Sequence, residues 1–238
     1  MEEANANVNV VEQYVVCTDW NEDPAGKVTD AATVSHMSRR GRTADEARAF
    51  VRRLVRMGHT SPLEFVAATF EVRTTRAVAN ELVRHRMASF CQESTRYVDY
   101  RDGLDVIRPS GVSEGDVFAS CAWWNSCEVA HSAYVAMLDA GASREDARSV
   151  LPLCTATTLR MRFNMRSFRN FLTLRHSMAA APAMREIAAL CVLALPESYL
   201  VFVEDLLRPD TRLPRNADIM RRMTTIVSAV AEDAKNEG

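Results

Sequence analysis

Residues 84 to 97 read Arg84-His85-Arg86-Met87-Ala88-Ser89-Phe90-Cys91-Gln92-Glu93-Ser94-Thr95-Arg96-Tyr97. The segment before them, Ala77 to Val83, holds good helix formers and no Gly or Pro, so Arg84, His85 and Arg86 are expected to end a helix, where the helix dipole tolerates cations. Ser, Cys, Ser and Thr then crowd a short window, which predicts a hydroxyl-rich loop. Such a helix end and loop, with Arg96 beyond, offers many donors and few acceptors. That suits a phosphorylated ligand, because guanidinium groups make charge-assisted, often bidentate bonds to phosphate oxygens. On spacing alone, a solvated helix face explains Arg-His-Arg better than a ligand site does.

Outward from this stretch the chain alternates helical and strand patterns. Val8 to Cys17 is valine-rich and reads as a strand. Trp20 to Lys27, with Pro24 and Gly26, reads as a loop. Thr43-Ala44-Asp45-Glu46 is a capping box opening a helix with Phe50, Val51, Leu54 and Val55 on one face and Gly58 as its stop. Arg48, Arg52, Arg53 and Arg56 are most simply its solvated face. From Glu64 to Thr74, apolar Val66, Ala68, Phe70 and Val72 alternate with Thr69, Glu71 and Arg73, the pattern of a half-buried strand. Ser113 to Ala140 predicts a long helix with Val117, Cys121, Trp124, His131, Val135 and Leu138 on its buried side. Trp123 and Trp124 read as core or subunit interface, and His131 as a satisfied or surface histidine. Ser143 opens a helix that Pro152 stops. Thr155 to Phe163 alternates again, and Asn164 caps a helix carrying Arg166, Asn170 and Arg175. Met184 to Leu207 is helical and apolar with a break at Pro196, and Pro214 to Ala234 is an amphipathic terminal helix. The fold class is α/β (α+β), a mixed or antiparallel sheet flanked by long helices, with residues 1–238 as one domain.

The 238 residues are 47% apolar, enough to bury a sizeable core and too apolar for disorder. A net charge of −2 argues against a polyanion-binding surface and hence against nucleic acid as partner. No apolar run reaches about 18 residues, so no membrane span is expected. Six cysteines without a CxxC pair read as free thiols in a reducing cytoplasm, with no zinc site.

The stretch resembles the signature of flavin-dependent thymidylate synthases, Arg-His-Arg-x-x-Ser-x-x-x-x-Ser-x-Arg-Tyr, at all seven fixed positions. Ala31-Ala32-Thr33-Val34-Ser35 is similar to that family's Ala-Ala-Arg-Val-Ser, with Thr33 in place of arginine. Gly58-His59 through Glu64-Phe65 is similar to Gly-His-x-x-x-x-Glu-His, with Phe65 in place of the last histidine. His59 reads as structural rather than catalytic. Asn164, Arg166, Asn170 and Arg175, with Arg148 upstream, resemble the second signature. After Arg175 the family continues His-Ala-x-x-Glu-Ile. Here His176 to Ile187 runs about three residues longer, and no histidine falls at the expected place.

The resemblance implies a homotetramer with active sites between subunits, bound FAD, 5,10-methylenetetrahydrofolate as carbon donor and NADPH as reductant. The reaction implied is reductive C5 methylation of a uracil nucleotide, dUMP or UMP, giving dTMP or 5-methyl-UMP. It assigns Arg175 and Ser94 to catalysis. Glu81, Arg84, Gln92, Ser94, Arg96, Arg148 and Arg175 fall to the nucleotide. Ser35, Arg84, His85, Arg86, Gln92, Asn164, Arg166 and Asn170 fall to the flavin. Cys91 reads as a packing residue, since the family needs no enzyme nucleophile. The two missing histidines leave open altered sugar choice, as in family members of nucleoside-antibiotic pathways, and a non-catalytic flavin- or nucleotide-binding relative.

Overall fold

The computed structural model describes residues 7–34, 42–207 and 217–236, with the side chains of Ala217 and of 230–236 left aside. Ser35 lies outside the described residues. The strands are β1 (Val8–Val10), β2 (Tyr14–Trp20), β3 (Ala67–Thr75), β4 (Ala88–Gln92), β5 (Leu104–Val106) and β6 (Ala156–Asn164). The α-helices are α1 (Pro24–Thr33), α2 (Ala44–Arg56), α3 (Arg76–Leu82), α4 (Val117–Asp139), α5 (Arg144–Ala147), α6 (Met165–Arg175), α7 (Pro182–Ala194) and α8 (Ala217–Asn236). β1 pairs with β5, and a second sheet has the order β2-β3-β6-β4. The mixed α/β class read from the sequence is the class observed. Contacts gather in two compact units, and β3, β4 and β6 each have residues in both.

The first unit comprises Met1–Tyr14, Val72–Arg84 and Cys91–Leu159. Its β1 and β5 run parallel, with Val8 opposite Leu104 and Val10 opposite Val106. Val8, Tyr100, Leu104, Val106, Cys127, Tyr134 and Ala147 form its core, and Trp123 and Trp124 pack against it. Asp116 caps α4 by accepting from the Ala119 N–H, and Gly141 ends the helix at φ +89°. The buried line of α4 is Cys127, His131 and Tyr134, whereas Val117 and Cys121, expected on it, are exposed. The helical spacing was right, but the first turns of α4 carry no buried residue. His131 is buried, and its Nε2 lies 2.8 Å from the Tyr100 carbonyl.

The second unit comprises Val15–Glu71, His85–Phe90 and Arg160–Gly238. The expected loop at Trp20–Lys27 is confined to residues 21–23, and Pro24 to Lys27 is instead the start of α1. Pro24 occupies the first turn, where no intrahelical donor is needed, and the Asp23 carboxylate accepts from the Gly26 N–H at 2.9 Å. Proline read as a breaker was a helix initiator. The capping box of α2 forms as expected, and Gly58 stops that helix at φ +72°. A 3-10 turn, Ser61–Phe65, then leads to β3. Phe70, Phe163, Phe168 and Phe171 are fully buried and stack on one another, with centroids 5.4 Å apart for Phe70–Phe168 and for Phe163–Phe171. The Met165 N–H donates to the Val66 carbonyl at 2.8 Å and ties the start of α6 to this core. Arg52, expected on a solvated face, is instead half-buried in an ion pair with Glu204 at 2.7 Å.

Two further expectations are corrected. Val8 to Cys17 is not one strand; pairing breaks after Val10 and resumes at Tyr14. The hydroxyl-rich window after Arg86 begins as β4, and the expected loop is confined to residues 93–97. Phe90 supplies the strand's anchor, edge-on to Phe163 at 5.9 Å. Packing overrides the weak strand propensity of Ser and Gln there.

Candidate active site

Within the first unit, Arg96 and Arg148 meet one carboxylate, and Ser94 lies in the turn that carries Arg96. Arg96 Nη2 lies 3.2 Å from Glu145 Oε2, and Arg148 Nη2 lies 3.9 Å from Glu145 Oε1. Arg148 also donates from Nε to the Glu145 carbonyl at 3.1 Å and from Nη1 to Thr95 Oγ1 at 3.3 Å. Ser94 Oγ accepts from the Arg96 N–H at 3.3 Å, and the Ser94 carbonyl accepts from the N–H groups of Tyr97 and Val98. The turn is thereby fixed, with its hydroxyl and both guanidinium groups in one locality. The Arg96 and Glu145 side chains are about half exposed, so an incoming anion can replace Glu145 between the two arginines. Gln92 donates to Thr157 Oγ1 at 3.4 Å, and Arg76 reaches the same oxygen at 3.2 Å. Glu81 is half-buried on α3, and Arg84 follows that helix exposed.

Within the second unit, His85 and Arg175 meet. The Arg175 Nε–H donates to His85 Nε2 at 2.9 Å. An imidazole nitrogen that accepts carries no proton, so His85 is neutral with its proton on Nδ1. The ring is buried edge-on against Phe171 at 5.2 Å. Burial first, and the Arg175 charge second, hold its pKa below the usual histidine value. The polar residue is thus locked by packing, and it fixes the direction of the guanidinium in turn. Arg86 is exposed, and Met87 beyond it adopts φ +61°, a left-handed conformation rare for a side chain of this size.

The same unit contains a cavity of about 740 Å³ walled by α1, α2 and the 61–65 turn. Phe50, Arg53, His59, Phe65 and Arg166 line it. Phe65 is 71% exposed, an unusual state for a phenyl ring. Arg53 lies over the Phe50 ring at 5.0 Å. Arg166 reaches Glu64 Oε1 at 2.6 Å and is held at the cavity wall. Asn164 Oδ1 is engaged as the α6 cap, accepting from the Ser167 N–H at 2.9 Å, while Asn170 is exposed one turn beyond Arg166. Arg53 is therefore not merely a solvated residue.

A family model described as thymidylate synthase complementing protein matches residues 16–197. The chain belongs to that family. The flavin-dependent thymidylate synthase of Geobacter sulfurreducens is 35% identical over 182 residues, 71% of this chain and 75% of that one. The protein of the same name from Thermococcus kodakarensis is 30% identical over 186 residues, covering 73% and 75% of the two chains. Among solved structures, the UMP/dUMP methylase PolB from Streptomyces cacaoi, bound with 5-Br dUMP, superposes with a TM-score of 0.70 at 26% identity over 83% of this chain and 97% of that one. ThyX from Helicobacter pylori, solved with FAD and dUMP, shares the fold at a TM-score of 0.65 and 24% identity, over 83% and 100% of the two chains.

For a chain of the thymidylate synthase complementing protein family, sequence reasoning named the arginines but not the groups that hold them. Glu145 read only as part of a helix start, and Thr95 as an unspecified position inside the signature. Thr95 carries no sequence signal for contact with Arg148, because 53 residues separate them, whereas Glu145 lies three residues before that arginine, a spacing at which helical side chains meet. Phe50 and Arg53 could have been found as an aromatic and a cation three residues apart on one helix.

Proposed function

We propose that this member of the family carries out reductive C5 methylation of a uracil nucleotide, dUMP or UMP, giving dTMP or 5-methyl-UMP. It does so with FAD, NADPH and 5,10-methylenetetrahydrofolate. The observation that carries the reading is the convergence of Arg96 and Arg148 on one exposed carboxylate, beside the turn that holds Ser94, a ready place for a nucleotide phosphate. Exchange of Glu145 for phosphate satisfies both guanidinium groups, with each charge-assisted bond contributing about 1.5–3 kcal/mol. Gln92, Glu81 and Arg84 position the rest of the nucleotide.

The cavity fits a flavin by the chemistry of its walls. Phenyl rings at Phe50 and Phe65 suit a planar ring system, and Arg53 and Arg166 suit its phosphates. Its volume lies within the usual range of roughly 300–1,000 Å³ for cofactor sites. Arg166, Asn170, Asn164, Arg86 and Ser35 are the further contacts of this reading. When bound, the flavin supplies the hydride, NADPH being its reductant and methylenetetrahydrofolate the one-carbon donor. C5 of uracil becomes nucleophilic as negative charge moves to the ring carbonyls. Arg175 stabilises that charge, and His85 orients Arg175 by accepting its Nε–H. Ser94 fixes the phosphate end against that displacement of charge.

The reading also takes the protein as a cytoplasmic homotetramer that binds neither nucleic acid nor membrane. Among the described residues no helix is long and apolar enough to cross a membrane. All six cysteines are free, in keeping with a reducing compartment. Exposed Val117, Phe118 and Val129 along α4 support assembly. The test is product formation from UMP and from dUMP, side by side, with FAD, NADPH and methylenetetrahydrofolate supplied. Methylated product from either nucleotide is expected. Nucleotide binding without turnover of either would overturn the reading in favour of a non-catalytic relative.

A further inference from the structure

Two thiols face each other in the first unit, apart from the residues assigned above to the nucleotide and the flavin. Cys127 Sγ on α4 and Cys154 Sγ, two residues before β6, are 3.6 Å apart. Cys127 is fully buried and Cys154 is half-buried, so only one of them meets small solutes readily. The segment bearing Cys154 is not slack. The Leu153 and Thr155 carbonyls accept from the N–H groups of Ala77 and Arg76, and the Cys154 carbonyl accepts from the Ile107 N–H at 2.9 Å. Two sulfurs held in contact by a helix and a tethered segment need approach by only about 1.5 Å to reach bonding distance.

We propose that Cys127 and Cys154 form a peroxide-oxidised dithiol, a covalent modification site distinct from the nucleotide and flavin residues. The division of labour follows from the surroundings. The contact with Cys127 lowers the Cys154 pKa, against the opposing effect of burial. The same contact and burial push the Cys127 thiol up. Cys154, the sulfur that small solutes can reach, is therefore the attacking thiolate, and buried Cys127 is the resolving thiol.

In the first step the Cys154 sulfur attacks one oxygen of a hydroperoxide. The S–O bond forms, the O–O bond breaks, and the departing oxygen leaves as water or alcohol with the thiol proton. Cys127 then attacks the Cys154 sulfenic acid; the S–S bond forms, the S–O bond breaks, and water leaves with the second proton. The two thiols lose two electrons and the peroxide gains them. In a reducing compartment the pair rests as thiols and returns to them after exposure.

The test treats the folded, full-length protein with graded hydrogen peroxide, alkylates the remaining thiols, and maps peptides. A Cys127–Cys154 linked peptide is expected at peroxide doses that leave most of the exposed Cys121 alkylatable, and dithiothreitol should remove it. In C127S, Cys154 should stop at sulfenic acid and be trapped by dimedone. In C154S, Cys127 should stay reduced at the same dose. Oxidation of Cys121 at doses that leave Cys127 and Cys154 both alkylatable would overturn the proposal, as would a link that forms only after denaturation. Neither readout depends on methylation activity.

Discussion

The two units hold their arginines by opposite means. In the first, Arg96 and Arg148 are kept in place by Glu145 and Thr95, in a cluster about half open to solvent. In the second, Arg175 is kept in place by a neutral imidazole wedged against fully buried phenyl rings. The first arrangement is electrostatic, so it is screened by salt and can exchange its carboxylate for another anion. The second rests on packing and cannot rearrange without disturbing the core. A phosphate that arrives and leaves suits the exchangeable cluster. A charge that must meet a developing carbonyl anion suits the rigid one.

Breaking the packed side should produce the largest effect. Phe163→Ala removes the ring that His85, Phe90, Phe168 and Phe171 all adjoin, and about 3–5 kcal/mol of stability should be lost in denaturant unfolding. Arg175→Ala should leave that stability nearly intact and lower kcat by roughly 10²–10³-fold, the usual consequence of removing one preorganised donor. An unchanged kcat would break the assignment of the rigid arginine to catalysis. Arg96→Ala or Arg148→Ala should act chiefly on KM, each weakening nucleotide binding by about 10- to 100-fold, in line with charge-assisted bonds. Raising ionic strength should weaken binding in the parent and less so in either variant.

The smallest expected effect sharpens the contrast through pH. The folded state holds His85 below the ordinary value of 6.5, so the unfolded chain binds its proton first as pH falls. Stability is therefore full above about 6.5, declines as pH drops below it, and levels off once the folded-state pKa is passed. Denaturant unfolding between pH 7.5 and 5 checks this, and in H85Q that part of the decline should vanish.

Much of this was legible in the sequence where a period could be read. The alternation in β3 and β6 gave their buried faces residue by residue, and the α2 capping box and Asn164 cap formed where the spacing required. Asp23-Pro24 misled because proline is both a breaker and a helix starter, and the distinction lies in whether its neighbour's carboxylate caps the turn. β4 was illegible because its strand character comes from Phe90 meeting Phe163, 73 residues away in the chain. The signature named the arginines, but several groups that aim them come from distant segments, Thr95 for Arg148, Glu145 for Arg96 and His85 for Arg175. Arg52 shows the same limit. Its helical position looked solvated until Glu204 supplied a partner.

The run after Arg175 reads as about three residues longer than the family pattern, and Arg185 bears on what that would mean. Its side chain is buried, and Nη1 donates to the Met178 carbonyl at 3.2 Å and the Ala180 carbonyl at 3.0 Å. The longer run and the arginine are therefore one transplantable part. A chimaera that shortens the run but keeps Arg185 buries a cation stripped of these acceptors, and one that keeps the run but replaces Arg185 strips the carbonyls of their donor. Grafting a relative's histidine into this region succeeds only if both are exchanged together.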